Sequence, residues 1–295
     1  MSAAASVPSF PGRLAILAGR GRFPLIVARA AREQASDPFI LAIEGEADQD
    51  WTDFDHAQVP IGNLAEVSAL LRREQIGAVV MAGGIARRPR LADIRPTWAS
   101  LRAAPSALKA LLSGGDDSVL RAAIRVLENH GVRVLGAQEI APGLLGAEGP
   151  LGRHGPRAAD RSDMTAAIDA ALALGRLDIG QGAVSAGGRV VALEGLEGTD
   201  AMLARVAELR ANGRLRTGAR GVLAKMCKPT QDERADLPSI GPETVINAHA
   251  AGLAGIALEA GRSLVLDRDE AIAEADRLGL FVTGIIPFGY TKDTL

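Results

Sequence analysis

Two lysines, two aspartates and three prolines lie close together in the segment KMCKPTQDERADLPSIGPET, residues 225–244. Lys225 and Lys228 supply ammonium groups, which offset the negative charge of a diphosphate. Asp232 and Asp236 supply carboxylates, which hold a metal ion or activate a water molecule. The types and spacing of these residues therefore predict a site of phosphate chemistry.

The same segment is predicted to be a shaped loop. Its prolines and Gly241 interrupt the backbone hydrogen bonding of helices and strands, and its residues show no hydrophobic period. Long irregular loops inside compact domains are usually functional or disordered, and an exposed charged loop is the alternative interpretation. We favour function because the segment lies directly between a predicted strand and a predicted helix.

A second group of carboxylates lies in EGLEGTD, residues 194–200. Glu194, Glu197 and Asp200 are bunched between a strand end and a helix start, and such oxygen-rich groups suit Mg²⁺. The alternative is that Thr199 caps the helix and that the acids are ordinary first-turn residues. The sequence favours neither interpretation over the other.

The turn AGRGRFP, residues 18–24, joins a predicted strand to a predicted helix in the first half of the chain. A glycine-rich turn at a helix N-terminus offers unpaired N–H groups to a phosphate. Pro24 replaces the third glycine of the dinucleotide fingerprint, which weakens a nicotinamide-dependent oxidoreductase hypothesis with Glu44 as the ribose ligand. A purely structural turn is the other interpretation.

Two further motifs in this half follow glycine pairs. GGIARRPRL, residues 83–91, carries three arginines within residues 87–90 that could clamp phosphate oxygens, or form a solvated basic loop. GGDDS, residues 114–118, contains Asp116 and Asp117, of which one would cap a helix while the other stays available to a metal ion or sugar.

The elements that must position these motifs follow an α/β pattern. Apolar runs at 13–19, 39–45, 78–84 and 132–139 alternate with helical patterns, which is typical of βαβ units and a parallel sheet. We therefore predict a Rossmann-like N-terminal domain over residues 1–140, of which 1–12 form a flexible tail.

The second half is predicted to be an α/β domain with a mixed sheet. A Gly- and Pro-rich linker over 141–156 precedes this domain, residues 157–295. Its hairpin turns at the pair Gly187-Gly188, and a capping box from Asp267 to Glu270 starts its last helix.

Composition narrows the functional classes. The formal net charge is −2, so the overall balance gives no indication of nucleic-acid binding. Cys227 is the single cysteine, which excludes an intrachain disulfide and indicates a reducing compartment. The chain contains no apolar run of about 18 residues, and its start lacks the features of a signal peptide. We therefore expect a cytoplasmic protein.

Several motifs match one family in their order along the chain. They are LAGRGRFP, GDDSVLRAA, GQGAVSAGGRVVALE, EGLEGTDAML and GVLAKMCKPTQDERADLPSIGPET. Over residues 13–286 the chain resembles the LpxI-type UDP-2,3-diacylglucosamine pyrophosphatases, and the last of these blocks is specific.

The resemblance implies an enzyme of bacterial lipid A biosynthesis. It implies hydrolysis of UDP-2,3-diacylglucosamine to UMP and 2,3-diacylglucosamine 1-phosphate (lipid X) with Mg²⁺, for which Mn²⁺ is the alternative ion. The family's essential aspartate lies in the QDxRxDLP block, which offers Asp232 and Asp236 here, and we prefer Asp236. Such hydrolysis needs a metal and a positioned water but no nucleophilic side chain.

The expected partners and site residues follow. We expect the UDP-linked diacylated lipid as substrate, no nucleic acid, a peripheral contact with the inner membrane surface, and a homo-oligomer. A lipid–nucleotide carrier without catalysis is a further alternative. The catalytic candidates are Asp236, Asp232, Lys225 and Lys228, and the metal candidates are Asp236, Asp232 and Glu194. The substrate-binding candidates are Gly19, Gly21, Phe23, Pro24, Gly83, Gly84, Asp116, Asp117, Gln181, Glu197, Gly198, Thr199, Asp200, Gln231 and Arg234.

Overall fold

The computed structural model describes residues 8–60, 63–86, 116–216, 218–229 and 231–287. These residues form two compact units. Unit 1 extends to Gly143 and includes Asp232–Asp236, while unit 2 comprises Leu144–Gln231 and the residues from Leu237 onward. Among the described residues, no helix combines the length and the apolar composition needed to cross a bilayer.

Unit 1 is built on a five-stranded parallel sheet with the strand order β3-β2-β1-β4-β5. This confirms the predicted parallel sheet. The winding direction changes between the adjacent strands β1 and β4, and in open α/β sheets the loops after such strands form a crevice. The strands are β1 (Arg13–Ala18), β2 (Phe39–Ile43), β3 (His56–Val59), β4 (Ile76–Ala82) and β5 (Arg133–Leu135).

Helices cover both faces of this sheet because successive strand residues point to opposite sides. Leu14 and Ile16 pack with Val27 of α1, while Ala15 packs on the other face with Ile124 and Leu127 of α3. The helices are α1 (Phe23–Glu33), α2 (Leu64–Arg73), α3 (Asp116–Asn129) and α4 (Ala137–Ile140).

The predicted strand over 132–139 is wrong in its second half. The strand ends at Leu135, and Ala137–Ile140 form one helical turn. The Glu139 side chain turns back to accept a hydrogen bond from the Gly136 N–H at 2.9 Å, which satisfies a donor at the start of α4.

Unit 2 contains a six-stranded mixed sheet with the order β6-β13-β11-β9-β7-β8. β9, β11 and β13 run parallel, whereas β6, β7 and β8 pair antiparallel, so the predicted mixed sheet is confirmed. The strands are β6 (Gly149–Pro150), β7 (Gly182–Ala186), β8 (Arg189–Leu193), β9 (Gly221–Lys225), β11 (Leu253–Glu259) and β13 (Phe281–Ile285). β10 (Ser239–Ile240) and β12 (Leu264–Val265) form a separate two-stranded parallel sheet.

The helices of unit 2 also lie on both faces of its sheet. Leu223 of β9 packs with Met202 and Leu203 of α6, while Ala224 packs with Ala171 of α5 in a separate cluster. The helices are α5 (Arg161–Arg176), α6 (Gly198–Ala211), α7 (Pro242–Ala250) and α8 (Arg268–Leu278). The domain bounds predicted from the sequence, 1–140 and 157–295 with a linker over 141–156, stay a prediction.

The hairpin between β7 and β8 turns at the expected glycines. Gly187 and Gly188 have φ angles of +66° and +77°, as a two-residue hairpin turn requires. The buried carboxylate of Asp163 accepts hydrogen bonds from both of their N–H groups and from the Ser185 hydroxyl. The sequence analysis gave Asp163 no role, and the structure makes it the anchor of this turn.

The helix cap left open at Thr199 and the one predicted at Asp267 are both wrong. α6 follows Glu197 and has no side-chain cap, because the Thr199 hydroxyl bonds to Glu194 instead. α8 follows Asp267, which has φ +45° and makes no capping hydrogen bond through its side chain. Both caps were inferred from local spacing, and the Thr199 hydroxyl donates to Glu194, five residues earlier, instead of capping the helix.

Candidate functional site

The lysine- and aspartate-bearing segment is a loop over most of its length. It follows β9, which ends at Lys225, and the described residues between there and β10 form no helix or strand. Residues up to Gln231 group with unit 2, and Asp232–Asp236 group with unit 1.

Lys225 lies in a buried network at the carboxyl end of β9. Its ammonium group donates to the Thr199 hydroxyl at 2.7 Å and to the Ser239 carbonyl at 3.2 Å. Thr199 in turn donates to Glu194 Oε1 at 2.5 Å, and the same oxygen lies 3.9 Å from Lys225 Nζ. Glu194 Oε2 accepts from the Gln181 N–H at 3.3 Å. The structure therefore brings together four candidates from three parts of the chain, namely Gln181, the pair Glu194 and Thr199, and Lys225.

Lys228 forms a second cation–carboxylate pair in unit 2. Its ammonium group lies 2.8 Å from Asp178 Oδ1, and its side chain is only 11% exposed. Gln231 supports the turn because its side-chain carbonyl accepts from the Lys228 N–H at 3.1 Å. Sequence analysis missed Asp178, whose only local signal is its position just after α5. Its backbone has φ +54°, a conformation that Asp tolerates better than most residues.

Cys227, between these lysines, is buried. Its N–H donates to Glu259 Oε2 at 2.9 Å, and Glu259 also pairs with Arg262 at 2.7 Å. These contacts fix the backbone of the loop where it leaves β9.

Asp232 is held by Arg234 in unit 1. Arg234 Nε and Nη2 donate to the two carboxylate oxygens of Asp232 at 2.9 and 2.8 Å, and the Arg234 N–H donates to Oδ1 as well. The Arg234 side-chain hydrogen bonds lower the pKa of Asp232, against the opposing effect of burial. Arg234 Nη1 also contacts Glu128 at 2.7 Å.

Asp236 belongs to the same turn. Its N–H donates to the Asp232 carbonyl at 3.3 Å, and its side chain is partly buried. The two aspartates thus lie on one backbone turn, but the carboxylate of Asp232 is engaged by a guanidinium group on both oxygens.

The carboxylates of the second acidic motif face different partners. Glu197 pairs with Arg205 at 3.3 Å, and Asp200 accepts from the Asn247 amide at 3.1 Å, while Glu194 points to Lys225 and Thr199. Within the described part of the chain, no three His, Cys, Asp or Glu side chains are grouped so that they could hold a metal ion together.

The glycine motifs of unit 1 meet at the carboxyl ends of β1 and β4. Arg20 and Gly84 exchange backbone hydrogen bonds of 2.8 and 3.1 Å, and Gly83 has φ +90°. Glu46, which sequence analysis missed, is buried and accepts from both Arg20 Nε at 2.8 Å and the Ala86 N–H at 2.9 Å. Glu46 was missed because a single charged residue after a predicted strand is not a distinctive sequence feature.

The remaining candidates of unit 1 lie at helix starts. Phe23 and Pro24 begin α1 directly after the glycine turn, as predicted, and the Gly21 N–H donates to Asp48 at 2.9 Å. Asp116 and Asp117 begin α3, and their side chains lie outside the described part of the structure. The arginines of residues 87–90 also lie outside it.

The fold and the site define a two-domain α/β protein with glycine turns and lysine–carboxylate clusters at the carboxyl ends of parallel strands. The LpxI N-terminal domain model matches residues 13–144, and the LpxI C-terminal domain model matches residues 147–283. The chain is 41% identical over 276 residues to the UDP-2,3-diacylglucosamine pyrophosphatase LpxI of Caulobacter vibrioides, covering 93% of this chain and 98% of that protein. The chain belongs to the LpxI family.

Proposed function

We propose that this protein hydrolyses the pyrophosphate bond of UDP-2,3-diacylglucosamine to UMP and 2,3-diacylglucosamine 1-phosphate. The observation that carries the proposal is the loop from Lys225 to Asp236, in which two lysines with fixed partners are followed by a carboxylate pair on one turn. The name of the Caulobacter relative supports the substrate.

The loop offers the cationic groups and carboxylates that this chemistry needs beside a metal ion and a water molecule. The water oxygen adds to one phosphorus and gives up a proton to solvent, the bond from that phosphorus to the bridging oxygen breaks, and the departing phosphate takes the electron pair. Charge grows on the phosphate oxygens, and ammonium groups such as those of Lys225 and Lys228 stabilise it. Attack at either phosphorus gives the same two products, so the products alone do not identify the attacked atom.

A magnesium ion fits the carboxylate chemistry of the loop. Mg²⁺ is held by one or two carboxylates together with substrate phosphates and water, so a cluster of three side chains is not required. Asp236 and Asp232 of the QDxRxDLP block are the candidate ligands, and we prefer Asp236. Both oxygens of Asp232 accept hydrogen bonds from Arg234. When bound, the ion would supply polarisation of a phosphate oxygen, and Mn²⁺ is the alternative ion.

The glycine turns of unit 1 are our candidate nucleotide contacts. Gly19, Gly21, Gly83 and Gly84 lie where β1 and β4 end, which is the position that nucleotides favour in open α/β sheets. We further propose that the enzyme is cytoplasmic and forms a homo-oligomer. We also propose that it makes a peripheral contact with the inner membrane surface, because its substrate carries two acyl chains.

The test is release of UMP from UDP-2,3-diacylglucosamine by the purified protein in Mg²⁺. We expect release with Mg²⁺ and its loss with excess EDTA. A protein that releases no UMP under either condition would contradict the proposal, and substrate recovered intact from it would favour a carrier. Protection against heat by NAD(P)H would favour an oxidoreductase. Repeating the reaction in ¹⁸O-labelled water identifies the phosphorus that accepts the oxygen.

A further inference from the structure

We infer that Glu194 and Thr199 are positioning residues that hold the Lys225 ammonium group in place, and that Glu194 is not a metal ligand. The inference rests on the proposed function, because it assigns roles within the same site. It replaces the sequence-based expectation of Glu194 as a metal candidate and of Thr199 as a substrate contact.

Burial makes a counter-charge for Lys225 necessary. Lys225 is 5% exposed and Glu194 is 6% exposed. A buried ammonium group without a partner is costly, and removal of one partner from a buried ion pair is strongly destabilising. Glu194 and Lys225 are therefore best understood as one unit with Thr199 between them.

The direction of the hydrogen bonds follows from the number of protons that Lys225 and Thr199 can donate. An ammonium group only donates, so the Thr199 oxygen accepts from Lys225 at 2.7 Å. The single hydroxyl proton of Thr199 is then directed to Glu194 Oε1 at 2.5 Å. Lys225 donates a second proton to the Ser239 carbonyl at 3.2 Å. Two of the three ammonium protons are thus fixed, and we assign the third to a phosphate oxygen of the substrate.

The surroundings of Glu194 are unsuited to a divalent cation. Glu194 Oε1 accepts a hydrogen bond from the Thr199 hydroxyl, and Glu194 Oε2 accepts one from the Gln181 N–H at 3.3 Å. An ammonium group only 3.9 Å from Oε1 would repel a second cation at that oxygen. Thr199 keeps the ammonium and carboxylate groups apart while linking them, so the hydroxyl sets where Lys225 points.

Other charged groups near β9 have their own partners. Glu259 on the neighbouring strand β11 bonds to the Cys227 N–H and to Arg262. Asp178 pairs with Lys228, and Asp163 on α5 bonds to the hairpin turn. Among the described residues, Glu194 is therefore the carboxylate that compensates the charge of Lys225.

The test measures UMP release as a function of substrate and Mg²⁺ for Glu194→Gln, Thr199→Val and Thr199→Ser. We expect kcat to fall at least about tenfold in Glu194→Gln and Thr199→Val, which corresponds to about 1.4 kcal/mol of the barrier. Thr199→Ser, which retains the hydroxyl, should stay within about threefold of the wild type. The Mg²⁺ concentration for half-maximal rate should stay unchanged in all three variants.

A rise of about tenfold or more in that Mg²⁺ concentration for Glu194→Gln, with kcat restored at saturating metal, would make Glu194 a ligand and overturn the inference. Equal rates for Thr199→Val and Thr199→Ser would also overturn it. Glu274→Gln on α8, whose glutamate pairs with Arg277 at the surface, is the matched control. If Glu194→Gln does not fold, the Thr199 pair carries the test. If the wild-type protein itself releases no UMP, that result contradicts the proposed function rather than this inference.

Discussion

Asp232 and Asp236 lie on one backbone turn, and we assign their carboxylates different roles. Asp232 is neutralised by Arg234, so we expect it to shape the turn, whereas Asp236 is proposed to act on metal or water. Asp236→Asn should lower kcat for UMP release by at least about 100-fold, and Asp232→Asn by less than about tenfold. Steady-state kinetics on variants with wild-type circular dichroism check this. The reverse order of losses would exchange the two roles.

The Asp232–Arg234 pair also predicts a pH dependence of stability. Arg234 lowers the pKa of Asp232 below its ordinary value of 3.8, so the folded protein binds the proton more weakly than the unfolded chain. The pair therefore stabilises the protein above pH 3.8, and this contribution is lost as the pH falls through the folded-state pKa.

We expect Asp232→Asn to lower the free energy of unfolding at neutral pH by about 1 kcal/mol, since partial exposure screens the pair. Urea unfolding at a series of pH values checks this, because the difference between wild type and variant should disappear in acid. A difference that stays constant down to pH 2.5, roughly a unit or more below the ordinary carboxyl value, would contradict the assignment.

At the scale of elements, the contact between the two glycine turns of unit 1 requires a glycine at position 83. Gly83 has φ +90°, and an added Cβ would lie 2.7 Å from the Arg20 carbonyl oxygen and 2.8 Å from the Pro24 ring. Gly83→Ala should therefore lower the free energy of unfolding by about 2 kcal/mol.

Gly84→Ala is the matched control, because a Cβ at Gly84 would meet no atom within 4 Å. We expect a loss below about 1 kcal/mol for it. Chemical denaturation of both variants compares them directly. Equal losses would mean that the turn can relax around the new methyl group.

Regular apolar runs made the long buried elements predictable from sequence. The run at residues 13–19 gave β1, and the pair Gly187-Gly188 gave the hairpin turn. β3 was not predicted, because its four residues HAQV are largely polar or partly exposed and lack a clear period. The strand predicted over 132–139 was too long, because composition alone did not mark its end at Leu135. Glu139 caps the helical turn that follows.

The site was predictable as a set of residue types but not as a set of contacts. The lysines and aspartates of the loop stood out because they lie together in a segment with three prolines and no hydrophobic period. The contact between Thr199 and Lys225 was not predictable, because the two residues lie 26 positions apart and a helix cap was an equally good interpretation of Thr199. Asp178 was missed for the same reason, since its partner Lys228 lies 50 residues away.

At the scale of the whole molecule, the candidate loop adds a short piece of the second half of the chain to unit 1. Ala235 packs against a hydrophobic cluster of unit 1, Arg234 pairs with Glu128, and the Gln138 amide donates to the Glu233 carbonyl at 3.2 Å. A linear division of the sequence does not reveal this, because the segment is covalently part of the second half. Asp236 is therefore positioned by contacts that unit 1 provides.

We predict that Glu128→Gln loosens this segment in the full-length protein. Glu128 holds Arg234 Nη1 at 2.7 Å, and Arg234 in turn holds Asp232, whose oxygens accept from the N–H groups of Arg234, Ala235 and Asp236. Loss of the partly exposed ion pair, worth about 1 kcal/mol, should speed amide hydrogen exchange in residues 232–236 about fivefold. Exchange measured by mass spectrometry should stay unchanged in the hairpin of unit 2, and in residues 232–236 of the surface control Glu74→Gln. Unchanged exchange in residues 232–236 of Glu128→Gln would show that Ala235 and Gln138 suffice to anchor the segment.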